Sequence, residues 1–192
     1  MSQVYAFLQP GWADWEAGYV LSGLRRNFQR TVSVATPDGR PALSIGGLEV
    51  SAQQRFAEVK PAAGDVLLLI GSDAWITYEA RGLADILGSA LAEGVTVGAI
   101  CAATVPLARA GLLAGRAHTS NSADFLREHA PDYAGCELYV DRTTAIADRN
   151  LVTASGLAAL AFAREVFRLA QSDDPRWADQ YYEVFSREFR GS

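Results

Sequence analysis

The sequence predicts an α/β fold, a mostly parallel sheet with helices on both faces. Short apolar runs bounded by turn residues alternate along the chain with longer amphipathic stretches, the pattern of strands joined by crossover helices. A chain of 192 residues is the usual size of one domain, and at that length roughly 70% of the unfolded surface can be buried around one core. An apolar share of 49% and a charged share of 20% match an ordinary globular protein and leave no segment with the composition of disorder. Residues 1–192 are therefore expected to form a single domain.

Strands are expected over residues 4–8, 31–35, 66–70, 95–100 and 151–153. Helices are expected over 15–27, 78–92, 102–110, 123–129, 156–170 and 175–189. Pro37-Asp38-Gly39 reads as a turn, and Ile45-Gly46-Gly47-Leu48 carries the two-glycine signature of a β-hairpin. A second small ladder is expected between 137–140 and 144–147, with Cys136 at its start as a structural cysteine. In the last helix Trp177, Tyr181, Phe185 and Phe189 recur every four residues, so an aromatic stripe must be covered. The plainer reading makes 173–190 a packing helix on the domain's own surface; the other makes the stripe a dimer contact.

Composition also narrows function. The formal charge is −5, and the Lys and Arg residues form no stripe able to track phosphates, which argues against nucleic acid. The start lacks the basic and apolar regions of a secretory signal, and the longest uncharged run, 94–108, is shorter than a membrane span and contains Gly98 and Pro106. A cytoplasmic protein with no membrane partner is expected. The two cysteines, Cys101 and Cys136, are expected to be free thiols.

In open parallel sheets ligands bind at the carboxyl ends of the strands. Four segments lie there: 9–16, Gly71-Ser72-Asp73-Ala74-Trp75, Cys101-Ala102-Ala103 and Ala154-Ser155-Gly156. Cys101 ends an apolar strand and precedes small residues able to begin a helix, as in a strand–nucleophile–helix elbow. Helix N–H groups can lower a thiol pKa from about 8.5 into the range ~3.5–7.5. The competing reading is a buried, inert cysteine closing an apolar strand.

Several ordered motifs carry a family resemblance. Gly98-Ala99-Ile100-Cys101-Ala102-Ala103, the later Ala110-Gly111-Leu112-Leu113-Ala114-Gly115-Arg116, Asp14-Trp15-Glu16 and the run from Ala147 to Gly156 together resemble the ThiJ/PfpI superfamily of class I glutamine amidotransferase-like proteins. With His118-Thr119-Ser120-Asn121, the chain is similar to a small bacterial branch of it. The resemblance implies a flavodoxin-like three-layer sandwich, a homodimer, and Glu16 hydrogen-bonded to the Cys101 sulfur. Peptidase members have a histidine directly after the nucleophile, where this chain has Ala102. Other members have a histidine ending a Thr-Thr-His segment, where this chain has Asn121. A glutaminase needs a late His-x-Glu pair, and the only histidines are His118 and His129.

Two readings stand for His118: a base that a changed loop aims at Cys101, with Asn121 or Asp14 as polar neighbour, or a loop histidine satisfying local backbone. His129 reads as structural, near a helix C-terminus. Glu16 is either a helix-terminal acid or a carboxyl kept protonated beside Trp12 or Trp15, sharing one proton with a Cys101 thiolate. Gly71, Ser72 and Ala102 are candidates to present N–H groups to an oxyanion; the competing reading of Gly71 and Ser72 is an ordinary strand-to-helix turn in which glycine supplies positive φ. Trp75 either walls the pocket or packs.

The expected function is a cysteine-dependent hydrolase or lyase, glyoxalase- or deglycase-like, acting on a small electrophile such as a reactive carbonyl. No metal or organic cofactor is expected. The substrate class comes from the resemblance alone, and the missing histidines disfavour peptidase and glutaminase activity. The alternatives are a redox sensor or stress-response protein working through Cys101 oxidation, and an interaction module with a vestigial site.

Overall fold

The computed structural model describes residues 2–79, 82–170 and 176–190, with the side chains of Phe189 and Arg190 left out. Its centre is a seven-stranded sheet in the order β5-β2-β1-β6-β7-β9-β8. The strands are β1 (Gln3–Phe7), β2 (Thr31–Thr36), β5 (Gln54–Arg55), β6 (Val66–Leu69), β7 (Thr96–Ile100), β8 (Ala145–Asp148) and β9 (Leu151–Ala154). All neighbours are parallel except β8, which runs antiparallel to β9. Every residue of β6, β7 and β9 is buried, because helices cover both faces of these central strands. This is the α/β flavodoxin-like architecture that the sequence implied.

One face is covered by α1 (Asp14–Arg26), α6 (Ala159–Leu169) and α7 (Trp177–Arg190), and the other by α2 (Ala74–Thr77), α3 (Leu83–Ala92), α4 (Thr104–Arg109) and α5 (Ala123–His129). The expected helix 78–92 differs: the chain forms the short α2 earlier, and α3 begins after Gly82, whose φ of 98° is open to glycine. Residues 80–81 of that stretch, and 173–175 of the expected terminal segment, lie outside the described residues. In α7 the stripe turns onto the chain's own surface. Trp177 meets Phe28 and Phe167, Tyr181 meets Phe167, and Phe185 meets Tyr19 on α1.

The two-glycine hairpin joins β3 (Ala42–Leu43) to β4 (Glu49–Val50). The second ladder is corrected. Ala145–Asp148 pairs with Leu151–Ala154, while Cys136–Leu138 is a 3-10 turn led by Gly135 at φ 108°. Tyr139 meets the His118 segment through one isolated bridge instead. A strand at 144–147 finds a longer partner in the central sheet than a three-residue stretch after a left-handed glycine can offer. The edge strand β5 has too short a run for its periodicity to be read.

Among the described residues, no helix is long and apolar enough to cross a membrane, and no group of three or more His, Cys, Asp or Glu side chains is placed to hold a metal ion.

Candidate active site

The strand order reverses at β1, with β2 on one side and β6 on the other, and this opens a crevice at the carboxyl ends of the strands. The segments after β1, β6, β7 and β9 meet there. Cys101 follows β7 directly, with a φ of +61°. An L-residue in that region carries about 1–2 kcal/mol of strain. The surroundings hold it: the Thr104 hydroxyl donates to the Cys101 carbonyl at 2.7 Å and lies 2.7 Å from the Ser120 hydroxyl in the interior. Cys101–Ala103 forms a 3-10 turn before α4, whose first turn accommodates Pro106 because those N–H groups need no helical partner.

Glu16 reaches the sulfur from the first turn of α1. It is only 1% exposed. The Gly71 N–H donates to its Oε2 at 2.8 Å, and its carboxyl is hydrogen-bonded to the Cys101 thiol. Asn121 approaches from a third side, donating from Nδ2 to Cys101 Sγ at 3.2 Å while its Oδ1 accepts the Gly156 N–H at 3.0 Å. Trp15 ties the same loop to α1, its indole N–H donating to the Gly156 carbonyl at 3.1 Å.

Both glycines are required by close approach. A Cβ on Gly71 would lie 2.1 Å from Glu16 Oε2 and 2.8 Å from Cys101 Cβ, and one on Gly156 would lie 2.9 Å from Cys101 Sγ. Gly71 is not a positive-φ glycine, so the turn reading for it is corrected. The Thr104–Ser120 pair was missed in the sequence, and Gly156 was read only as part of a crevice segment, without its role of making room for the sulfur. The available signal was a glycine placed just past the carboxyl end of β9.

The electrostatics place both groups high. Burial pushes the Glu16 carboxyl up to about 7, against the pull of the Gly71 N–H and the Cys101 thiol. Burial and the facing Glu16 carboxylate push the Cys101 thiol up to about 11, although the Asn121 amide and the Ala102 N–H favour the thiolate. This corrects the expectation of a thiol depressed by a helix terminus. The sulfur is mostly enclosed and set against an acid, and both effects disfavour a second negative charge. Between the two values the pair holds one proton.

The remaining predicted residues stand elsewhere. His118 is fully buried, and both ring nitrogens are taken: Nδ1–H donates to the Arg116 carbonyl at 2.7 Å, and Nε2 accepts from the Tyr133 hydroxyl. Burial lowers its pKa and keeps it neutral. The structure therefore joins His118 to the 133–140 segment and does not bring it to Cys101. Trp75 is fully buried, with its indole N–H on the Ile70 carbonyl at 2.7 Å and its ring stacked on Phe56. It packs beneath the turn and does not wall a pocket. The Ser72 hydroxyl donates to the Pro10 carbonyl at 2.6 Å, tying the turns after β1 and β6. The Gly71 N–H, bound to Glu16, is not free to meet an oxyanion. Trp12 lies in the core and bridges to Ser44, leaving Trp15 as the indole beside the site.

Comparison with known proteins agrees with this fold. The sequence profile described as the DJ-1/PfpI family matches residues 2–169. A Bacillus subtilis protein named uncharacterized protease YoaZ is 32% identical over 189 residues, covering 95% of this chain and 90% of that protein. Among solved structures, the DJ-1 superfamily protein Atu0886 of Agrobacterium tumefaciens superposes with a TM-score of 0.87 at 28% identity, covering 99% of this chain and 100% of that one. A thiJ/pfpI family protein of Bacillus anthracis superposes with a TM-score of 0.86 at 28% identity, covering 97% of this chain and 91% of that one.

Proposed function

The chain belongs to the DJ-1/PfpI family, and from that premise we propose that it is a cysteine-dependent enzyme whose Cys101 adds to a small reactive carbonyl such as a 2-oxoaldehyde. The observation that carries this reading is the convergence of the Glu16 carboxyl and the Asn121 amide on one sulfur. In the one-proton state the thiol proton passes to Glu16 as the sulfur attacks the aldehyde carbon. The C–S bond forms, the C=O π bond breaks, and Glu16 returns the proton to the oxygen to give a hemithioacetal. The second N–H of the Asn121 amide is the donor available to the developing oxyanion. Moving the C1 proton to C2 through Glu16 then gives the thioester of a 2-hydroxy acid. Water cleaves that thioester, releasing the acid and restoring the thiol.

The word protease in the name of the Bacillus subtilis relative is not carried over. The peptidase members' histidine directly after the nucleophile is replaced here by Ala102, and the His118 imidazole is engaged at both nitrogens by Arg116 and Tyr133. The other histidine, His129, packs against Phe125 at the end of α5.

The test is turnover of methylglyoxal by the purified protein, followed by appearance of lactate. The wild type should turn over, and Cys101→Ala should lose roughly 10²-fold or more, with Cys136→Ala within about twofold of wild type because it lies outside the site. Undetectable turnover in the wild type, with selective oxidation of Cys101 by mild peroxide, would replace this reading by the redox sensor.

A further inference from the structure

We propose that the site selects electrophiles bearing an uncharged apolar group, held by a rim made of Trp15, Ile45 and Leu157; the inference rests on Cys101 being the reacting group. Large apolar side chains left in water cluster at one end of this molecule. Of the eight that are exposed among the described residues, Trp15, Leu43, Ile45, Leu48 and Leu157 lie on the first turn of α1, the β3–β4 hairpin and the loop after β9. Exposed apolar groups scattered singly are ordinary, whereas a contiguous set bordering a cleft marks a binding surface.

Hydrogen bonds tie these three segments to the sulfur. The Trp15 indole N–H is held by the Gly156 carbonyl, and a Cβ on Gly156 would lie 2.9 Å from Cys101 Sγ. Leu157 is the next residue and is 85% exposed. The hairpin tip is fastened to the same helix turn, since the Ile45 N–H donates to the Trp12 carbonyl at 2.9 Å and the Gly46 N–H donates to Asp14 Oδ2 at 2.8 Å. The indole, the isoleucine and the leucine therefore stand on exposed segments fastened to one another beside the Cys101 turn.

Charge points the same way. The ionisable residues on these segments are the acids Asp14, Glu16 and Glu49. Among the described residues, the hydrogen-bond partners of Cys101, Glu16, Asn121 and Trp15 include no lysine or arginine. A substrate carboxylate would meet like charge from Asp14 and Glu16. An alkyl or aryl group would cover surface that now faces water.

Maleimides test this without requiring turnover, so its failure is separable from failure of the proposed reaction. The native full-length protein is labelled with N-benzylmaleimide and with a maleimide carrying an N-carboxyalkyl group, and the rate at each cysteine is read by peptide mass spectrometry. Cys136, exposed on its 3-10 turn, is the internal control. The benzyl-to-carboxyalkyl rate ratio should be about tenfold higher at Cys101 than at Cys136. Leu157→Asn and Ile45→Asn, both at exposed positions, should bring the Cys101 ratio toward the Cys136 value. Equal ratios at the two cysteines would overturn the proposal. So would light scattering in which either variant converts a dimer to a monomer while the Cys101 ratio stays unchanged, which would assign the rim to a second copy of the chain.

Discussion

The two cysteines of this chain show how little exposure says about chemical role. Cys136 is the exposed one, at the start of a 3-10 turn with the Arg127 guanidinium as its polar neighbour. Cys101 is partly enclosed, held at positive φ, and faced by a buried acid, an amide and two glycines that leave room for them. Accessibility alone would choose Cys136 as the reactive thiol. The proposed reaction takes Cys101 instead, because general acid–base chemistry needs a proton carrier in contact with the reacting atom. The cost of that arrangement is visible in strain and in two raised pKa values, whereas the φ of Cys136 is not positive.

The largest difference should appear in stability against pH. The folded protein holds the Glu16 proton up to about 7, against an ordinary value of 4.5. Between those values the folded state binds more protons than the unfolded chain, so stability falls as pH rises through that window, by about 3 kcal/mol. Glu16→Gln should flatten this part of the profile in chemical denaturation, whereas Cys136→Ala should leave it as in the wild type. An unchanged slope in Glu16→Gln would remove Glu16 from the buried pair.

Packing around the sulfur supplies a smaller effect. Gly71→Ala puts a Cβ against Glu16 and the Cys101 Cβ, and should cost about 2 kcal/mol in denaturant titrations. It should also slow Cys101 labelling without changing that of Cys136. Smaller still is the backbone term. At Cys101, glycine should be more stable than alanine by about 1 kcal/mol because it relieves the left-handed strain. At Cys136, where φ is not positive, the order should reverse, since glycine there brings only unfolded-state entropy. The same order at both positions would deny the strain at Cys101.

Much of this arrangement was legible in the sequence. Alternating apolar runs fixed the strand ends, and the rule that ligands bind past the carboxyl ends of parallel strands singled out the segments holding Glu16, Gly71, Cys101 and Gly156. Asn121 was noticed because it stands where related proteins have a histidine. What escaped was direction. His118 lies three residues from Asn121, yet its ring turns inward to Arg116 and Tyr133, and sequence proximity carries no information about which side of a loop a side chain takes. Trp75 follows the site turn but points beneath it, to Ile70 and Phe56. The thiol pKa was misjudged for a related reason: a helix terminus is readable from local residues, whereas a carboxylate 85 positions earlier in the chain, buried against the sulfur, acts only through the fold.

The central claim, that Glu16 and Cys101 share a proton and act as one unit, is tested most directly by the rate of Cys101 alkylation with iodoacetamide as a function of pH. Wild type should show a first step near pH 7, where the pair loses one of its two protons and thiolate becomes accessible through transfer to Glu16, and a second rise toward pH 11. Glu16→Gln and Glu16→Leu should lose the first step and show a single rise, below pH 11 because the opposing carboxylate is gone. Superimposable single-step profiles for all three proteins would contradict the claim and leave Glu16 as an acid at the start of a helix.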